Sequence, residues 1–311
     1  MFINGAHYSR SPIDNATNLV SELQIHVYTF VSLITLRRKM MGLSRRDLMK
    51  KAGMMAVGTG FAGLSLSMAN KAIGAGEEQQ NKIPELPWPY KKLDPAVVAE
   101  AAYEAYYKGA CAYGVFEAIV APLRKEIGFP YTMMPSTMLV VGQGGVADIA
   151  SLCGSLNGAA SAIFLVTGGM DQKLRAASYS VIQDVFLWYE QTALPDYRPK
   201  NPKYEIIKSV SGSNLCHISV SKWCKAAKFK SFSKERSERC GWLTASVAKY
   251  TAEALNKYAD GAFKMAHPLS AAAEACRSCH DKGSKLENTR GVTDCGGCHF
   301  TPPMKQVHPK M

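Results

Sequence analysis

Apolar positions along this chain recur mostly with the period of an α-helix. From Asp94 the run DPAVVAEAAYEAYYK carries an N-cap, a proline in the first turn and apolar residues three and four apart, and Gly109 closes it. A second helix is expected from about Cys111, in CAYGVFEAIVAPLRKEIG. The stretch VADIASLCGSLNGAASAIFLVTG is apolar nearly throughout and rich in small residues, which predicts a helix buried on most sides. SYSVIQDVFLWYEQTA and LTASVAKYTAEALNKYADG repeat the 3.6-residue period, and only YEIIKSVSG hints at a strand. The pattern predicts an all-α fold: a multi-helix domain over residues 76–260, then a loop-rich C-terminal segment over 261–311.

The N-terminal quarter reads differently. Ser44-Arg45-Arg46-Asp47-Leu48-Met49-Lys50 precedes the apolar, glycine-rich run AGMMAVGTGFAGLSLSMA and small residues at Ala69, Ala72 and Ala75. This resembles a twin-arginine signal peptide over residues 40–75, with Leu48 and Met49 where the usual pattern prefers Phe and Leu. A short membrane anchor is the alternative, but a run so rich in Gly, Ser and Ala is a poor bilayer span, so cleavage after Ala69 or Ala75 is expected. Signal peptides begin near the initiating Met, so Met40 or Met41 is the expected start and residues 1–39 a mis-called extension. A partly membrane-inserted lead is the other reading of that segment, although VYTFVSLITL is too short to span. The expected location is the periplasm, with no stable membrane span in the mature chain. The twin-arginine route carries proteins already folded, which points to a cofactor loaded before export.

Charge narrows the partners. Residues 1–75 hold nine basic and three acidic residues, so without them the formal net charge falls from +12 to +6. That modest excess does not point to nucleic acid. The lysine-rich segment SKWCKAAKFKSFSKERSER reads as a solvated face, with a docking surface for an acidic redox partner as the sharper alternative. Gly142, Gly144 and Gly145 in VVGQGGVADIA lack the G-x-G-x-x-G spacing and a surrounding βαβ unit, so they predict a tight turn, not a phosphate cradle.

Chemistry concentrates in the cysteines. Cys276 and Cys279, then Cys295 and Cys298, form two C-x-x-C pairs at a separation that would suit a four-cysteine zinc ribbon. Each pair is followed at once by a histidine, His280 and His299. With seven histidines in 311 residues, two such placements by chance come to about one in two thousand. C-x-x-C-H attaches haem c: two thiols add to the two vinyl groups of one porphyrin, and the histidine ligates the iron. Five cysteines remain, Cys111, Cys153, Cys216, Cys224 and Cys240. Two disulfides and a free thiol are the plain account in an exported protein. Helix-like, apolar surroundings favour four thiolates around iron instead, which also supplies the cofactor loaded before export.

The order Cys111, then Cys153-Gly154-Ser155-Leu156-Asn157-Gly158, then Cys216 and Cys240, is similar to a redox family named for its cysteines and a Cys-Gly-Ala-x-x-Gly motif, with Ser155 in place of Ala. Joined to two C-x-x-C-H motifs and an export signal, the chain resembles the split-Soret cytochromes c. The resemblance implies a homodimer whose chains each hold two stacked bis-histidine haems c and a [2Fe-2S] cluster, with a haem ligand able to come from the partner chain. By motif position the cluster falls to Cys111, Cys153, Cys216 and Cys240, with Cys224 as the alternate. Beyond His280 and His299 the mature chain has only His217, His267 and His308, and His267 and His308 are the candidate distal ligands. His217, beside a candidate cluster cysteine, reads as a hydrogen-bonding or core residue, and Met265 and Met304 are further axial candidates.

The functional expectation is a periplasmic electron carrier that meets redox partner proteins. Two other classes remain open: an oxidoreductase reducing a small nitrogen or sulfur oxyanion at an open haem, and a zinc-ribbon binding module.

Overall fold

A computed structural model describes residues 83–296 of the chain. The signal-like segment, Cys298, His299, Met304 and His308 lie outside the described residues.

Six helices carry the architecture of the described residues: α1 (Pro95–Ile127), α2 (Gly154–Thr167), α3 (Gln172–Gln191), α4 (Cys216–Ala227), α5 (Lys234–Ala259) and α6 (Ala271–His280). Short 3₁₀ turns at Tyr131–Met133 and Ser136–Gly142 follow α1. Asp94 caps α1 by accepting from the backbone N–H groups of Ala96 and Val97, and Asp171 does the same for α3. α5 packs along α1, α2 lies across both, and α3 closes the other side of α2. Val115, Phe116, Ile119 and Leu123 of α1 meet Leu156 and Ile163 of α2, Val181 and Val185 of α3, and Leu243, Val247 and Leu255 of α5. Each is fully or nearly fully buried, and burying such a side chain contributes about 1.5–3 kcal/mol.

The architecture is mostly helical, as the periodicity predicts, with two local departures. The break expected at Gly109 is present: Gly109 (φ −148°) and Ala110 (φ 63°) leave helical geometry and divide α1 into two helical segments, the second from Cys111. The helix read from Val146 begins only at Gly154. Residues Gly144, Gly145, Val146, Ala147, Asp148 and Ala150 all have positive φ, a left-handed turn that apolar periodicity cannot detect. α5 starts earlier than LTASV, at a cap from Ser233 to Arg236, and takes in the end of the lysine-rich segment. Among the described residues, strand content is one antiparallel pair, Ala193–Leu194 (β1) with Ser209–Val210 (β2), the latter inside YEIIKSVSG. Among the described residues no helix is long and apolar enough to cross a membrane.

Candidate redox-cofactor sites

Four of the five non-motif cysteines line one small chamber, and each arrives by a different element. Cys111 is the first residue of α1 after the Gly109–Ala110 break. Cys153 stands at the N-cap of α2. Cys216 opens α4 and Cys240 lies two turns into α5. The segments before Cys153 and Cys216 pair with each other: Cys153 N–H donates to Asn214 (2.9 Å), Cys216 N–H to Ser151 (2.7 Å) and His217 N–H to Ala150 (3.1 Å). Cys224 does not line the chamber, because eight residues along α4 carry it about 12 Å down the helix axis from Cys216. His217 is exposed, so it is not a core histidine.

Two glycines explain why α2 comes so close. A Cβ at Gly154 would stand 2.6 Å from the Cys111 sulfur, and one at Gly158 would stand 2.3 Å from the Ala112 carbonyl oxygen. Neither position has room for a side chain, so Cys-Gly-x-x-x-Gly lets α2 lie directly on the α1 break. The buried Ser155 also has a reason: its hydroxyl is 3.2 Å from that of Thr244, which donates to the Cys240 carbonyl. The left-handed turn packs over the same place, since a Cβ at Gly145 would meet the Cys216 Cβ at 2.8 Å. Val146, β-branched and at φ 64°, is held there at a cost of about 1–3 kcal/mol.

The chamber is about 20 Å³, lined also by Ser155, Tyr189, Ser219, Val220, Arg239 and Leu243. That is about the room of one water. Among the described residues no three His, Cys, Asp or Glu side chains converge closely enough to hold a single metal ion. The thiols therefore surround the chamber without meeting at a point. Burial, then the neighbouring Cys153 and Cys240 sulfurs, pushes the Cys216 thiol up to about 12. Cys111 and Cys153 are raised as well, burial again leading, while the Tyr189 hydroxyl works against the rise at Cys153.

Arg239 is the unexpected member. It is 1% exposed; one terminal nitrogen donates to the Ser219 hydroxyl (2.8 Å), which also accepts from Tyr189. Its Nε has no hydrogen-bond partner, although the Cys240 side chain is a neighbour. Among the described residues Arg239 forms no ion pair with a carboxylate. A buried guanidinium without an anion is costly, and the thiol-lined chamber is where the missing negative charge would lie. Nothing in the sequence pattern singled out Arg239, Tyr189 or Ser219; the one available clue was a charged residue directly before Cys240.

The C-terminal segment docks on α3. α6 presents Cys276, Cys279 and His280 along its last turn, and His280 Nδ1 lies 2.7 Å from Asn288 Oδ1. Burial first, then the adjacent Cys276 thiol, raises the Cys295 thiol, so the first cysteines of the two motifs are neighbours. Glu190, 3% exposed, ties this segment to the cysteine chamber. Its carboxylate accepts from Asn214 (2.8 Å) on one side and from the Thr293 hydroxyl (2.5 Å) on the other.

His267 is held differently from His217. Asp184, buried in α3, accepts from the backbone N–H groups of Ala266 (2.6 Å) and His267 (2.9 Å) and lies 3.2 Å from His267 Nδ1. Tyr250, stacked on Trp188, donates to the other oxygen of Asp184. An imidazole oriented through Nδ1 by a carboxylate presents Nε2 outward, the arrangement that fixes metal-ligating histidines. Asp184 and Glu190 are acidic residues on the inward side of SYSVIQDVFLWYEQTA, an anomaly that the apolar period alone passes over.

Three comparisons bear on this arrangement. The profile of a family described as "Putative redox-active protein (C_GCAxxG_C_C)" matches residues 110–254, a span that holds all five non-motif cysteines. The split-Soret cytochrome c of Desulfovibrio desulfuricans (strain ATCC 27774) is 38% identical over 272 residues, 83% of this chain and 95% of that protein. The chain belongs to the split-Soret cytochrome c family. A solved structure, described as "A novel iron centre in the split-Soret cytochrome c" from that strain, superposes with a TM-score of 0.65 at 39% identity. It covers 71% of this chain and 93% of the other.

Proposed function

We propose that this split-Soret family member is a periplasmic electron-transfer protein carrying two haems c and one [2Fe-2S] cluster per chain. In this reading Cys111, Cys153, Cys216 and Cys240 hold the cluster. Cys276, Cys279, Cys295 and Cys298 attach the haems, His280 and His299 are proximal ligands, and His267 and His308 are distal ones.

The observation that carries the cluster is Arg239, a buried cation with an unpartnered Nε beside four thiols. A two-iron cluster on four thiolates is an anion, and it needs two sulfurs at each iron, not a single convergence point. The one-water chamber is smaller than such a group, so the four side chains must turn outward to admit it. Cys216 and Cys240, both partly exposed, have space to do so. When bound, the cluster and haems supply one-electron storage. The chain's own residues do the rest: Gly154 and Gly158 bring α2 against Cys111, Arg239 offsets negative charge, and the apolar wall of Val220 and Leu243 keeps water away. At the haem end Asp184 orients His267, and Asn288 orients His280. An iron ligated on both faces offers no open position for substrate, which favours a carrier over an oxyanion reductase. The related solved structure's iron centre supports the reading.

A homodimer and export by the twin-arginine route belong to the same proposal, on the family resemblance and on the residues 40–75 pattern.

The test is electron paramagnetic resonance of the dithionite-reduced protein, followed by exposure to carbon monoxide. A spin-half signal from a reduced two-iron cluster, with haem bands that carbon monoxide leaves unshifted, is expected. A carbon monoxide adduct would move the function to the oxyanion reductase.

A further inference from the structure

The lysine-rich segment turns out to lie against the cysteine chamber. α4 divides cleanly by face: Cys216, Ser219 and Val220 line the chamber and Trp223 is buried, while Lys222 and Lys225 are exposed on the other side. These positions follow the i, i+3, i+4, i+7 rule for one helix face and its opposite. A helix with side chains is about 10–12 Å across, so one helix thickness separates the chamber from the lysine surface. The turn after α4 extends that surface with Lys228, Lys230 and Lys234, all exposed. Among the described residues none of these five lysines forms an ion pair. Between them stand two aromatics turned to solvent, Phe229 (43% exposed) and Phe232 (95% exposed). Phe229 stacks on the buried Trp223 with ring centroids 6.1 Å apart.

We propose that the α4 face, Lys222, Lys225, Lys228 and Lys230 around Phe229 and Phe232, is the docking site for an acidic one-electron carrier protein that exchanges electrons with the four-cysteine centre. The inference rests on the cluster reading above. Unpaired lysines around an apolar centre match the anatomy of a transient interface, a charged rim that steers encounter and an aromatic contact that seats it. A second copy of this chain is a poor occupant, because an isologous contact would set these lysines against themselves. The step transfers one electron from the reduced carrier to the oxidised centre. No bond forms or breaks and no proton has to move.

The experiment uses the exported, cofactor-loaded protein and reduced flavodoxin, an acidic one-electron carrier, as the probe in stopped-flow. Wild type is compared with the charge reversals K222E/K225E and K228E/K230E and with the neutral pair K222Q/K225Q. The expected result is a second-order rate that falls as salt is raised. Charge reversal should lower it about tenfold or more at low ionic strength, and the glutamine pair by less. Reduction by dithionite and the iron content should stay unchanged. Equal rates for wild type and both reversals, with non-haem iron present, would overturn the docking site alone. Wild type lacking non-haem iron would overturn the cluster reading and this inference together. Loss of binding to phosphatidylglycerol vesicles in the variants, at an unchanged flavodoxin rate, would reassign the face to a membrane surface and overturn the proposal.

Discussion

At the scale of single residues, the account depends on two charges buried where the packing alone gives them no reason to be. Arg239 has an unpartnered nitrogen at the thiol chamber. Replacing it by the similarly long, uncharged methionine, R239M, should destabilise the cluster-loaded protein by about 3–5 kcal/mol, the usual loss when one member of a buried charge pair is removed. Thermal unfolding of holo wild type and variant, with iron counted in each, checks this; an R239M protein as stable and iron-rich as wild type contradicts the role. Asp184 acts at the other site. A carboxylate accepting from His267 Nδ1 makes the ring a stronger donor to iron, which favours the oxidised state. D184N should raise the haem potential and weaken histidine ligation by about 10–100-fold, as read by redox titration and the low-spin absorption bands. Cysteine spacing made the candidate ligands legible from sequence, since ligand chemistry restricts which residue types can serve. Arg239, Asp184 and Glu190 were not legible, because a charge within an apolar helix period carries no mark of the partner that the fold brings to it.

Among elements, the decisive contact is α2 lying directly on the broken α1. Gly158 has the Ala112 carbonyl 2.3 Å from where a Cβ would stand, and backbone cannot swing aside as a side chain can. G158A should therefore push α2 outward, costing about 1–3 kcal/mol or more, and carry Cys153 away from Cys111. Denaturant unfolding and the non-haem iron content test this together: lost iron at full haem content is the expected pattern. The helices α1, α3 and α5 were readable from periodicity, and α1 also from its Asp94 cap, although α3 begins at Gln172, ahead of the stretch read for it. The start of α2 was not. Residues 144–150 look like a continuation of an apolar helix, and only the backbone handedness, with six positive φ values, shows a left-handed turn that lays Gly145 against Cys216. The helical extent of α5 was also underestimated, because its first two turns, KERSER, are charged nearly throughout, and the buried Glu238 and Arg239 among them give no apolar period.

For the molecule as a whole, two candidate redox regions share α3. Buried at different angles around α3 are Tyr189 at the cysteine chamber, Asp184 at His267, and Glu190 between Asn214 and Thr293. One helix thus ties the C-terminal C-x-x-C-H segment to the region of the four cysteines, the geometry that the proposed electron relay needs. In the proposed docking, the α4 face would give that relay an outer surface for a carrier. The most direct test of this account is a visible absorption spectrum of the protein exported from a haem-c-competent host, with haem, iron and zinc counted per chain. The account predicts a doubled or perturbed Soret band, two haems and about two further irons in each chain. Zinc with no Soret band, or iron equal to haem and no more, would contradict it.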